Sequence, residues 1–112
     1  MDAYERKCAI TGCNIEEILE AAHIIPYKGS HTNKLANGIL LRADLHTLFD
    51  LGLITVDTNT MTVNISSKLV NTEYDFLKAS KLKVKSDILQ VVKLALDEHQ
   101  NTFRITDYSK KK

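Results

Sequence analysis

The sequence is poor in cysteine, with only Cys8 and Cys13 among its 112 residues. Four residues separate the two cysteines and no second pair follows, so neither a disulfide framework nor a four-ligand zinc site can be assembled. We therefore expect both thiols to be reduced and to pack as small buried side chains.

Long apolar runs are also missing. The short apolar segment 21–26 directly follows a glutamate-rich stretch and does not resemble a signal peptide. No stretch approaches the length needed to span a membrane. We expect a soluble, cytoplasmic protein with no membrane partner.

A strong excess of one charge is absent as well. The net charge of +1 argues against a protein that coats nucleic acid by bulk electrostatics. The charges are unevenly distributed: residues 1–56 hold five Lys and Arg against seven Asp and Glu, whereas residues 57–112 hold ten against seven. The densest internal basic cluster comprises Lys78, Lys81, Lys83 and Lys85. Such a run is usually a solvated face, but in a DNA-binding protein it is the candidate for phosphate contacts.

The composition that remains, 44% hydrophobic and 26% charged, is typical of one ordinary soluble domain spanning residues 1–112. The pattern predicts an α+β fold. Segment 68–85 has no clear periodicity, and Met1–Lys7 resembles the tail of a longer chain. The predicted elements are strands at 19–25 and 39–41, a helix at 42–50 ended by Gly52, a hairpin formed by 53–57 and 61–65, and a helix from Ile88 to about His99 capped by Ser86 and Asp87.

One constellation carries chemistry, in the order strand, loop, strand, helix. Ala22-His23-Ile24-Ile25-Pro26 is followed by Asn37-Gly38, then by His46 and, one helical turn later, Asp50. Phosphodiester hydrolysis needs a base for water, a cation at the developing charge and groups that position the phosphate. His23 can be neutral at pH 7 and accept a proton from water. His46 and Asp50, at i and i+4, can converge on one divalent ion.

This order resembles the HNH endonuclease family, whose ββα-metal finger has a histidine ending the first strand, an asparagine entering the second and a metal ligand on the helix. The resemblance extends from Cys8 to Asp57 and includes the blocks AAHIIPY, NGILLR and DLHTLFD. These blocks are similar to the branch found in bacterial restriction-type nucleases. The resemblance implies a finger at about 18–52, a C-terminal extension at 66–112, and cleavage of double-stranded DNA to 5′-phosphate and 3′-hydroxyl ends.

The resemblance also implies site residues. The catalytic set is His23, Asn37 and His46, with Asn37 orienting the His23 imidazole. His46 and Asp50 are the metal ligands, and Arg42 is placed to grip a phosphate. Lys28 and Lys34, in the loop between the strands, are further phosphate-binding candidates. The expected ion is Mg²⁺, and the mixed donors would also accept Mn²⁺, Co²⁺ or Ni²⁺.

The sequence departs from much of the family at Ala22, where an aspartate or histidine often binds the metal. Glu20 lies on the same side of the strand and could reach the metal directly or through water, but a solvated strand residue is the favoured interpretation. Each candidate also has a structural alternative: a core histidine for His23, a helix-surface pair for His46 and Asp50, a turn for Asn37, and a solvated helix-start charge for Arg42. The alternative function is a catalytically inactive nucleic-acid-binding module, and a fused or partner module would supply targeting.

Overall fold

The computed structural model describes residues 4–24 and 38–103. Its first unit is an antiparallel hairpin of β1 (Leu19–His23) and β2 (Gly38–Arg42), followed directly by helix α1 (Ala43–Asp50). The register sets Ala22 opposite Ile39 and His23 opposite Gly38. The α+β class and the ββα order predicted from the sequence are confirmed.

Helix α1 is held by an apolar face and ended by a glycine. Leu45 and Phe49, one turn apart, are both buried. Gly52 adopts a φ of +75°, which side chains disfavour, and the Phe103 ring lies where its Cβ would be, with Cδ1 only 2.0 Å from that position. Gly52 is therefore needed both for the turn and for the close approach of Phe103.

The second hairpin is formed by β3 (Ile54–Asp57) and β4 (Thr62–Ile65). Its apolar side chains are almost completely buried and form much of the core: Ile54, Val56, Val63 and Ile65. Helix α2 (Ser86–Phe103) packs on β3. The Thr58 hydroxyl, in the hairpin turn, also donates a hydrogen bond to the Asp97 carboxylate on α2.

Helix α2 is longer at both ends than the sequence pattern predicted. The predicted span, Ile88 to about His99, ended where polar residues begin, but the helix starts at Ser86 and continues to Phe103. At the C-terminal end, His99 continues the buried stripe of Ile88, Val92 and Leu96, and the Phe103 ring packs against the His99 ring one turn later.

Other boundaries differ by one or two residues. Ile24 follows β1 in a bend instead of continuing the strand, and Arg42 ends β2 instead of starting the helix. The strands of the second hairpin begin at Ile54 and Thr62, one residue later than predicted. Short 3₁₀ turns occur at Glu16–Ile18, Ser67–Leu69 and Asp75–Leu77.

A segment at 79–83, extended after Ala79, joins the two hairpins and was not predicted from the sequence. On one side it pairs with β4 and with Met61 just before that strand: the Val63 N–H donates to the Ser80 carbonyl at 2.9 Å, and the Leu82 N–H donates to the Met61 carbonyl at 2.8 Å. On the other side the Lys83 N–H donates to the Ala9 carbonyl at 2.6 Å, and the Ala9 N–H donates to the Leu40 carbonyl of β2 at 2.8 Å. Backbone hydrogen bonds thus run from the finger through Ala9 to this segment and on to β4.

The start of the described chain is packed against the finger and does not behave as a polar tail. Tyr4 is buried, and its hydroxyl donates to the Gly38 carbonyl at 2.8 Å. Burial raises the pKa of Tyr4 to about 12. Cys8 is fully buried, as expected, whereas Cys13 is partly exposed. Within residues 4–24 and 38–103, no helix combines the length and apolarity needed to cross a bilayer.

Candidate active site and metal centre

The His46 imidazole lies between two carboxylates. Its Nδ1 is 2.6 Å from Oε1 of Glu20, and its Nε2 is 3.1 Å from Oδ2 of Asp50. All three side chains reach solvent, with exposed fractions of 25% for His46, 50% for Glu20 and 58% for Asp50. The group therefore sits at the surface of the finger, where β1 meets α1, and is open to a ligand.

Glu20 is an exposed strand residue, as expected from the sequence, but it also contacts His46, which the solvated interpretation did not include. Glu20 and Ala22 share one face of β1 because side chains alternate along a strand. Ala22 is buried on that face. Its neighbour Glu20, two residues earlier, reaches the helix and contacts His46.

The two contacts of His46 have different consequences for its protons. A neutral imidazole that donates Nδ1–H to Glu20 has only a lone pair at Nε2. That lone pair then faces the carboxylate of Asp50, which is also an acceptor. A cation between Nε2 and Oδ2 satisfies both atoms. A carboxylate behind a ligating histidine is the usual outer partner that fixes its tautomer.

The spacing of the two donor atoms fits a divalent ion. Ligands on adjacent corners of an octahedron with bonds of about 2.1 Å lie about 3.0 Å apart. The Nε2–Oδ2 distance is 3.1 Å. Among the described residues, no group of three or more His, Cys, Asp and Glu side chains is arranged to hold one ion. His46 and Asp50 would therefore bind it with water completing the coordination.

The other catalytic candidates are only partly covered by the structure. His23 is half-buried at the end of β1, three residues beyond Glu20 and opposite Gly38. Asn37, Lys28 and Lys34 lie outside the described residues. Their predicted roles stay predictions.

Arg42 is paired with a carboxylate rather than freely solvated at the start of the helix. Its Nε lies 2.7 Å from Oδ1 of Asp44 and its Nη2 lies 3.0 Å from Oδ2. The Tyr74 hydroxyl donates to the same Oδ2 at 2.9 Å. Hydrogen bonds from Arg42, and a further one from Tyr74, hold the pKa of Asp44 below its usual range. Three guanidinium N–H groups remain for a phosphate, so a phosphate-binding role for Arg42 is compatible with this pairing.

His99 was not recognised from the sequence, although it links the finger to α2. Its Nε2 lies 2.9 Å from the Phe49 carbonyl, and its ring stacks on the Phe49 ring at a centroid distance of 3.7 Å. Burial lowers the pKa of His99. A neutral His99 donating from Nε2 satisfies a carbonyl in the last turn of α1, next to Asp50. Its position three residues after Leu96 on the apolar stripe is the signal that could have identified it.

The fold and the site together define a ββα finger with an imidazole–carboxylate pair on its helix. Residues 8–57 match the family model described as HNH endonuclease. This match covers slightly less than half of the chain and supports the HNH endonuclease family that the sequence resemblance indicated. Comparison with curated proteins gave no significant match. The family match ends with β3, so that β4, segment 79–83 and α2 lie beyond it.

Proposed function

We propose that this protein is a divalent-metal-dependent DNA endonuclease with its active site on the finger. The observation that carries the proposal is the pair of donor atoms on His46 and Asp50, spaced for one ion and backed by Glu20. The match of residues 8–57 to the HNH endonuclease family model supports hydrolysis of phosphodiester bonds.

In this proposal the side chains divide the reaction between them. His23 accepts a proton from the attacking water at an imidazole nitrogen. His46 and Asp50 hold the ion, and Glu20 keeps the imidazole in the tautomer with Nε2 unprotonated. The bound ion would supply positive charge to the phosphate and to the leaving 3′ oxygen. Arg42, held in place by Asp44, offers its remaining N–H groups to a phosphate oxygen.

The test is nicking of supercoiled plasmid with Mg²⁺ or Mn²⁺, with and without chelator. We expect metal-dependent nicking by the wild-type protein and a loss of about 10²–10⁴-fold in His23→Ala, the usual contribution of a general base. Thr47→Ala, on the exposed face of α1, is the matched control and should keep the wild-type rate. Circular dichroism should show that all three proteins are folded.

The alternative is an inactive nucleic-acid-binding module. It would be favoured by a folded wild-type protein that binds DNA but produces no metal-dependent nicks. Wild-type nicking rates in His23→Ala would instead overturn the role given to His23.

A further inference from the structure

A basic cleft lies on the β2 side of the finger, formed by the start of the described chain and by segment 83–85. Its volume is about 290 Å³, and its lining includes Tyr4, Glu5, Lys7, Gly12, Lys83 and Lys85. Three ammonium groups and one carboxylate give it a positive balance. Lys83 and Lys85 lie beyond the segment that matches the HNH family.

The lysines of this cleft have uncompensated charge. Across residues 4–24 and 38–103, no carboxylate lies within ion-pair distance of Lys7, Lys83 or Lys85. The Lys83 ammonium donates instead to the Ile10 carbonyl at 2.9 Å. That contact fixes the position of the charge without neutralising it, so the ammonium keeps its attraction for an anion.

The fold holds Lys83 on a hydrogen-bonded backbone segment. Segment 79–83 is hydrogen-bonded to β4 on one side and to Ala9 on the other. Leu82 points into the core, and its neighbours Lys81 and Lys83 are exposed, as alternation in an extended segment requires. The side-chain stem of Lys83 also packs over Gly12, at 3.5 Å from the position of an added Cβ. The charge of Lys83 is therefore presented at a defined position.

The cleft also adjoins the hairpin that carries His23. Tyr4, in the wall of the cleft, donates its hydroxyl hydrogen bond to Gly38, the residue paired with His23. Lys83 is connected to β1 by three successive backbone pairings: Lys83 pairs with Ala9, Ala9 pairs with β2, and β2 pairs with β1. At about 4.8 Å for each pairing this is roughly 14 Å, which corresponds to about four base-pair rises of DNA.

We propose that the cleft formed by Lys7, Lys83 and Lys85 binds the phosphate backbone of duplex DNA a few base pairs from the site of cleavage. This inference rests on the proposed function, because the cleft would hold the same substrate. Lysines without carboxylate partners contribute affinity without sequence preference. The structure thereby separates Lys83 and Lys85 from Lys78, which belongs to the same cluster in the sequence but lies outside the lining of the cleft.

The test is the salt dependence of binding to a duplex of about 30 base pairs, measured by fluorescence anisotropy in chelator so that no cleavage occurs. The variant is Lys7→Gln/Lys85→Gln, which leaves the Lys83 hydrogen bond intact. The control is Lys68→Gln/Lys78→Gln, which removes the same charge from exposed positions outside the cleft. Thermal melting should establish that both variants are folded.

Each lost phosphate contact lowers the slope of log K against log salt by about 0.9. We expect the cleft variant to lose about two slope units and roughly 60-fold in affinity at 0.1 M salt, and the control to lose little of either. An unchanged slope in the cleft variant, or equal losses in both variants, would overturn the proposal. Tighter binding of duplex RNA with the same slope change would overturn DNA as the partner.

Hydrolysis of a small activated phosphodiester, bis(p-nitrophenyl) phosphate, separates this inference from the proposed function. That substrate is too small to span the cleft and the finger. A cleft variant with wild-type rates on it and weakened duplex binding supports the inference. Failure of the wild-type protein to hydrolyse any phosphodiester would count against the proposed function. The salt dependence of duplex binding would still test whether the cleft binds DNA.

Discussion

The two hairpins of this protein have similar lengths but differ in how far their polar side chains are exposed. In β1–β2, Glu20 and His23 stay partly exposed, and Glu20 bonds to a histidine on the adjacent helix. In β3–β4, nearly every side chain is buried, including the polar Thr55 and Asn64. The first hairpin therefore carries groups that can meet a ligand, and the second supports the surface on which they stand. Changes in the first should alter chemistry, and changes in the second should alter stability.

The largest effect that would test this division is expected at Ile54, which is buried in β3, the strand on which α2 packs. Ile54→Ala should lower the free energy of unfolding by about 2–5 kcal/mol, because it removes buried methyl groups and leaves a cavity. Urea denaturation measures the loss. Nicking per folded molecule, assayed well below the melting temperature, should stay at the wild-type rate.

Leu94→Ala is the matched control, since Leu94 on α2 is 79% exposed. It should change stability by no more than about 0.5 kcal/mol. The division between the hairpins would fail if Ile54→Ala kept its stability but lost activity per folded molecule.

An intermediate effect, on the affinity for a divalent metal ion, is expected when Glu20 in the first hairpin is changed. Glu20→Gln keeps the shape of the side chain but removes the charge that faces Nδ1 of His46. Loss of such an outer partner typically lowers metal affinity by about 10–100-fold. Calorimetric titration with Mn²⁺ measures this change, and the ¹⁵N chemical shifts of His46 report its tautomer. Stability should change little, because the side chain is half exposed.

Glu17→Gln, at an exposed position in the preceding 3₁₀ turn, removes the same charge three residues away and is the control. Equal Mn²⁺ affinities in the wild-type protein and Glu20→Gln would show that Glu20 does not act through His46. Equal losses in both variants would point to general electrostatics instead.

The sequence could predict the finger because its information is local. Alternation, the i,i+4 spacing of His46 and Asp50, and Gly52 after the helix each depend on a few neighbouring residues. The contact between Glu20 and His46 depends on how α1 packs on β1, a pairing of residues 26 positions apart. Segment 79–83 was missed for the same reason: its partners, Ala9 and Met61, are distant in the chain, and its own residues have no strong pattern.

The smallest predicted effect is a change in the pH dependence of stability. It tests the junction between the finger and α2, where His99 of α2 meets Phe49 of α1. Burial lowers the pKa of His99, so the unfolded chain binds a proton more readily than the folded protein. Stability then rises with pH in the window between the two pKa values. The contribution is complete above the unfolded value, about 6.5, and is lost as the pH falls through the lower folded value.

His99→Gln should remove this dependence, because glutamine does not titrate but can still donate to the Phe49 carbonyl. The wild-type protein should lose unfolding free energy between pH 7 and pH 5, and the variant should lose less. Urea denaturation at unit pH intervals measures both slopes. His46→Gln controls for a histidine that is partly exposed. Identical slopes in the wild-type protein and His99→Gln would mean that His99 is not held neutral by burial.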